Sequence, residues 1–84
     1  SVRERVMYIV YGKENCSFCV QAMELLKVNN KEFTYKSLDV DFTRDELFDA
    51  LSAFGVTPRS MPQVVVDGEY IGGFNELRKH LTHL

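Results

Sequence analysis

Two cysteines, Cys16 and Cys19, stand three positions apart and are the only thiols in the chain. A dithiol at this spacing can pass two electrons to a disulfide. One sulfur attacks as a thiolate and the other then displaces it from the mixed disulfide. The same pair could instead give half of a zinc site or serve as core packing. A bridge between them would close a tiny loop and remove little entropy from the unfolded chain, so stability alone does not account for it. Two cysteines are also too few for a structural disulfide framework.

Position sharpens the choice. Cys16-Ser17-Phe18-Cys19 falls where a strand's loop enters a helix. Cys16 is expected at the helix N-cap or first residue, facing unpaired backbone N–H groups and the positive end of the helix dipole. Such cysteines have pKa values lowered from ~8.5 into a range of roughly 3.5 to 7.5. Lys13, three residues earlier, adds positive charge. Cys19 lies one turn later on the inward face, within reach of a mixed disulfide on Cys16. Cys16 is therefore the expected nucleophile and Cys19 the resolving thiol. Core packing suits Cys19 but not Cys16. Zinc would need two more ligands, and only His80 and His83 are available, some 60 residues away. Both histidines read as the solvated end of a last helix, where their charge is favourable.

The elements around the pair follow from periodicity. Val6 to Tyr11 is an unbroken apolar and aromatic run, expected as a strand buried on both faces. Cys19, Ala22, Met23 and Leu26 mark one face of a helix from Ser17 to about Val28, stopped by Asn29 and Asn30. Phe33 to Val40 reads as a second strand. Thr43 and Glu46 form a capping-box pattern, followed by a helix with Leu47, Phe48, Leu51 and Phe54 on its apolar side and Gly55 at its end. Gln63 to Val66 and Glu69 to Ile71 flank Asp67-Gly68, a hairpin turn. After Gly72-Gly73, the spacing of Phe74, Leu77, Leu81 and Leu84 predicts a last helix. A helix between the first two strands implies a right-handed parallel crossover. The order β-α-β-α-β-β-α is thus an α/β, thioredoxin-like fold: a four-stranded mixed sheet flanked by helices, in one domain spanning residues 1–84.

Composition sets the outer limits. With 45% hydrophobic and 26% charged residues, the chain has the make-up of a globular domain rather than a disordered one. A net charge of -2 gives no reason to expect nucleic acid or an anionic membrane as partner. No apolar run approaches the roughly 20 residues that cross a bilayer. Ser1 to Arg5 is too charged for the apolar part of a signal peptide, so a cytoplasmic location is expected.

Three segments together resemble the glutaredoxin family: Lys13 to Cys19 (KENCSFC), Arg59 to Pro62 (RSMP) and Gly72 to Leu77 (GGFNEL). They are similar to the family's basic residue with C-P-Y-C, its T-V-P, and its G-G-x-x-D-L. The likeness covers nearly the whole chain. It implies a cis Met61-Pro62 bond facing the active cysteine, with the Met61 backbone free to pair with substrate as an added strand. It implies glutathione as electron donor. The γ-glutamyl end would meet Gly73, Phe74, Asn75 and Glu76, where the free N–H groups of a helix start suit a carboxylate. Lys13 and Arg59 would meet the glycyl carboxylate, with Phe18, Ser60, Met61 and Pro62 completing the site. The implied clients are disulfide-containing or glutathionylated proteins, ribonucleotide reductase among them, met by a monomer without a metal.

The departures matter. Ser17 replaces the family's usual proline, Phe18 its tyrosine and Glu76 its aspartate, and no third cysteine follows Gly73. A small residue in place of that proline accompanies family members that bridge a [2Fe-2S] cluster through the first cysteine, here Cys16, and glutathione. A cluster carrier or sensor is therefore one alternative. Another is a redoxin fed by thioredoxin reductase. Those proteins tend to carry a tryptophan and S-G-F where Ile71 to Phe74 stand here, and this chain has no tryptophan.

Overall fold

The computed structural model describes residues 6–82. Seven elements follow in order: β1 (Tyr8–Gly12), α1 (Ser17–Val28), β2 (Phe33–Ser37), α2 (Arg44–Ser52), β3 (Gln63–Val66), β4 (Glu69–Gly72) and α3 (Phe74–Thr82). The strands form one sheet in the order β2-β1-β3-β4. β1 runs parallel to β2, with Val10 beside Tyr35, and antiparallel to β3, with Val10 beside Val64. β3 and β4 make the antiparallel hairpin. The mixed α/β, thioredoxin-like sheet expected from the sequence is therefore the one formed.

Alternation along the two central strands divides the core. Tyr8, Val10, Val64 and Val66 face Ala22 and Leu26 of α1 and Leu77 and Leu81 of α3. Val65 points the other way, into a smaller cluster with Phe42 and with Leu47 and Leu51 of α2, on which Ile9 and Tyr11 also pack. Both faces of β1 are thus covered, the α1/α3 face more completely. That arrangement anchors α1 on the sheet with its first turn free at the end of β1.

The turns explain the boundaries. Asn29 caps α1 and Asn30 takes a left-handed φ of 58°, which ends the helix. β1 begins at Tyr8 rather than Val6 and runs through Gly12. β2 stops at Ser37, short of the expected Val40, because the Asp41 carboxylate accepts the Ser37 N–H at 2.9 Å. The chain then turns through Asp39, at φ 64°, into the Leu38–Phe42 bridge. The capping box forms as expected, with Thr43 Oγ1 accepting from the Glu46 N–H and Glu46 Oε1 from the Thr43 N–H. The apolar side of α2 is narrower than expected: Leu47 and Leu51 are buried, whereas Phe48 is 41% and Phe54 43% exposed. Leu47 and Leu51 already fill the space over Val65, and the Phe54 ring lies instead against Tyr70. Asp67-Gly68 makes the hairpin turn with positive φ at both residues. His80 is not the freely solvated residue expected. It is partly buried, its Nε2 lies 3.2 Å from the Tyr8 hydroxyl, and the two rings meet edge to face. His83 and Leu84 lie outside the described residues.

Three tyrosines make the fold sensitive to alkali. Burial pushes the phenol pKa above its usual value of 10.0 in Tyr8, Tyr35 and Tyr70, and Asp67 adds to the shift in Tyr8, Glu76 in Tyr70. A group whose folded pKa is raised gives stability that is complete below its unfolded pKa and lost as pH rises through the folded value. Thermal unfolding followed by circular dichroism should therefore show a midpoint that falls above pH ~10, the reference value of the free phenol. Tyr8→Phe should flatten part of that fall. A midpoint unchanged well above pH 10 would contradict the assignment.

Candidate active site

The site is assembled where β1 ends and α1 begins. Cys16 is the N-cap of α1, with extended backbone at φ -113° and ψ 103°. Its carbonyl accepts the first helical bond, from the Val20 N–H at 3.2 Å. Its sulfur accepts the Cys19 N–H at 3.2 Å. An N-cap oxygen ordinarily fills this role. A sulfur held there gains most when it carries negative charge, so the position favours the thiolate. Cys16 is partly exposed, whereas Cys19 is fully buried on the inward face of α1. The two are joined in a disulfide with Cα atoms 5.2 Å apart. Exposure thus assigns attack to Cys16 and resolution to Cys19.

The loop before β3 faces the pair. The Met61-Pro62 peptide is cis, and the Met61 carbonyl oxygen lies 3.8 Å from the Cys16 sulfur. Two shallow depressions meet at Ser60 and Met61. One holds Phe18, Pro62, Gly73, Phe74, Asn75 and Glu76. The other holds Lys13 and Arg59. All ten residues expected around the cysteines therefore line one continuous surface. The Phe18 and Phe74 rings stand 5.7 Å apart and join the first turns of α1 and α3.

The start of α3 differs from expectation in one respect. Glu76 Oε1 accepts the Gly73 N–H at 2.7 Å, so the chain's own carboxylate takes one of the donors expected for a ligand. The remaining N–H groups of the first turn have no intrahelical acceptor. Gly72 makes room for this cap. Its φ is +123°, and a Cβ there would lie 2.6 Å from Glu76 Cγ.

From the sequence, Gln63, Tyr70, Arg44 and Phe48 carried no expected role at the site. Gln63 is the one buried polar side chain among the described residues. It donates to the Ser60 carbonyl at 2.7 Å and accepts from the Tyr70 hydroxyl, which ties the loop to β4. A glutamine in a valine-rich strand was the available signal. Arg44 and Phe48, on α2, line the depression that holds Lys13. Their four-residue spacing puts them on one helical face, but the chain gives no local sign that this face adjoins the cysteines. His80 is held by Tyr8, and among the described residues no group of three or more His, Cys, Asp or Glu could hold a metal ion.

A thioredoxin-like sheet with a disulfide-forming pair at a helix N-terminus, opposite a cis-proline loop, defines a thiol-disulfide oxidoreductase. Comparison with known proteins narrows the class. The glutaredoxin family model matches residues 8–71. A probable glutaredoxin of Synechocystis sp. is 34% identical over 68 residues, covering 81% of this chain and 74% of that one. Glutaredoxin 1 of Salmonella typhimurium is 31% identical over 68 residues, covering 77% and 78%. The crystal structure of glutaredoxin 1 from Francisella tularensis, complexed with cacodylate, superposes with a TM-score of 0.77 at 27% identity, covering 93% of this chain and 94% of that one. The chain belongs to the glutaredoxin family.

The glycine pair should respond unequally to substitution. Gly72→Ala forces a side chain into a strained φ and against Glu76, at a cost of about 1–3 kcal/mol. Gly73→Ala keeps an ordinary φ, and its Cβ lies 3.3 Å from the Pro62 carbonyl oxygen, so it costs less. Urea unfolding of the two variants checks the order. Equal stability would show that Gly72 is not needed for the Glu76 cap.

Proposed function

We propose that this protein is a dithiol glutaredoxin that reduces protein disulfides and glutathione mixed disulfides, with glutathione as its electron donor. The observation that carries the reading is the Cys16 sulfur at the N-cap of α1, accepting a backbone N–H, beside a surface with a cationic end and a helix N-terminus. Glutathione carries a carboxylate at each end, and that surface offers Lys13 and Arg59 for one and the first turn of α3 for the other.

The electrons balance as follows. The Cys16 thiolate attacks one sulfur of a disulfide, forming a mixed disulfide and expelling the other sulfur as a thiolate, which takes a proton from water. The Cys19 thiol gives its proton to solvent and attacks the Cys16 sulfur. The second substrate thiolate leaves, and the Cys16–Cys19 disulfide remains. One glutathione thiolate opens that disulfide at Cys16, and a second removes the first as glutathione disulfide. Glutaredoxins work at roughly -200 to -230 mV, near the glutathione pool, so the cycle runs in either direction. The proposed setting is a reducing cytoplasm, with the protein acting as a monomer on clients such as ribonucleotide reductase.

The test is reduction of a small glutathione mixed disulfide, coupled to glutathione reductase and NADPH. Wild type should turn over, Cys16→Ser should be inactive, and Cys19→Ser should retain part of the activity, because glutathione can resolve the mixed disulfide in its place. An inactive wild type would sink glutathione dependence. Activity restored by thioredoxin reductase would then identify the other donor.

A further inference from the structure

The depression beside the cysteines holds more positive charge than one carboxylate requires. Lys13, from the β1–α1 loop, Arg59, from the loop before β3, and Arg44, from the first turn of α2, all line it. All three are exposed, and none has an ion-pair or hydrogen-bond partner for its side chain among the described residues. No acidic side chain lines the same depression. Glu46, on α2, is committed to the Thr43 N–H. Three unpaired cations are thus gathered at one edge of the redox site in a chain whose net charge is -2.

Apolar side chains share the lining with these cations: Leu38, Leu47, Phe48 and Pro58. Phe48, one turn after Arg44, lines the depression and is 41% exposed. The capping box fixes the first turn of α2 and so sets the direction from which Arg44 reaches the depression. Met61, whose carbonyl lies beside the Cys16 sulfur, borders the same depression. An acidic side chain of a polypeptide extended past Met61 toward Arg44 would therefore lie close to the cysteine being reduced.

We propose that Arg44, with Lys13 and Arg59, forms a docking subsite for client polypeptides bearing acidic side chains next to the target disulfide. Arg44 and Phe48 are specificity determinants that act on protein clients. The proposal rests on the dithiol chemistry of Cys16 and Cys19 and not on glutathione as donor. Charge complementarity of this kind raises the encounter rate and selects partners, and the preference runs against the negative charge of the molecule as a whole.

The test avoids glutathione altogether. The protein is reduced chemically and freed of reductant, then mixed with synthetic peptides containing one internal disulfide. The peptides differ only at the residues flanking the cysteines: glutamates, glutamines or lysines. Single-turnover rates are followed by the appearance of peptide dithiol. Wild type should reduce the glutamate peptide about ten times faster than the lysine peptide at low salt, and the ratio should shrink at high salt as the charges are screened. Arg44→Gln should lower the ratio by roughly 2–5-fold, the range expected for losing one exposed charge contact. Arg44→Glu should lower it further. Two outcomes would overturn the proposal: no preference in wild type, or a preference that Arg44→Gln and Arg44→Glu leave unchanged. Reduction of all three peptides at one rate would refute acidic docking while leaving the dithiol chemistry intact. Failure of the separate glutathione assay would not touch the peptide ratios.

Discussion

Everything at this site depends on a sulfur atom occupying the place of a helix-capping oxygen. The Cys19 N–H needs an acceptor at the start of α1, and the chain offers the Cys16 side chain. As a thiolate, that sulfur is a strong acceptor and lies at the positive end of the dipole. The interaction that favours the thiolate at Cys16 also makes it a good leaving group when an external thiol attacks the substrate sulfur of its mixed disulfide, because a thiol of low pKa departs faster. A tightly packed α1 is the condition for this. Ala22 and Leu26 are buried against β1 and β3, which fixes the helix and leaves its first turn at the sheet's end.

The two-sided sheet divides the work. α1 and α3 share one face and bring together the cysteines, the Phe18–Phe74 pair and the Gly73 turn. α2 covers the other face, around Val65. The loop of Ser60 and Met61 touches both sides, and Gln63 and Tyr70 hold it from below. The redox face and the α2 face can therefore present different chemistry to one bound chain.

Most of the fold was legible because the chain's periodicities are local. The apolar run of β1, the spacing of Cys19, Ala22 and Leu26, the Thr43–Glu46 box and Asp67-Gly68 each act within a few residues. The C-terminal end of β2 was not legible, since the Asp41 carboxylate that stops the strand looks in sequence like any polar turn residue. Phe48 and Phe54 misled for a related reason. Their hydrophobicity matches a core face, but the room under α2 is set by Val65 and Phe42, which are distant in sequence. At the site, the cysteines, Pro62 and the glycine pair carried their own signals. Gln63, Tyr70 and Arg44 matter through neighbours that only the folded sheet brings near. Glu76 lines the same depression as Gly73 and Phe74, but its bond to the Gly73 N–H depends on the φ of Gly72, which the residue order does not fix.

The disulfide spans three positions within a single helical turn. Buried core residues lie beyond it on β1, β3 and all three helices, and neither cysteine belongs to the two core clusters. The packing of the sheet against its helices therefore does not run through the bridge that the electrons make and break. A redox carrier built this way keeps the part that changes with its electrons apart from the part that holds its shape.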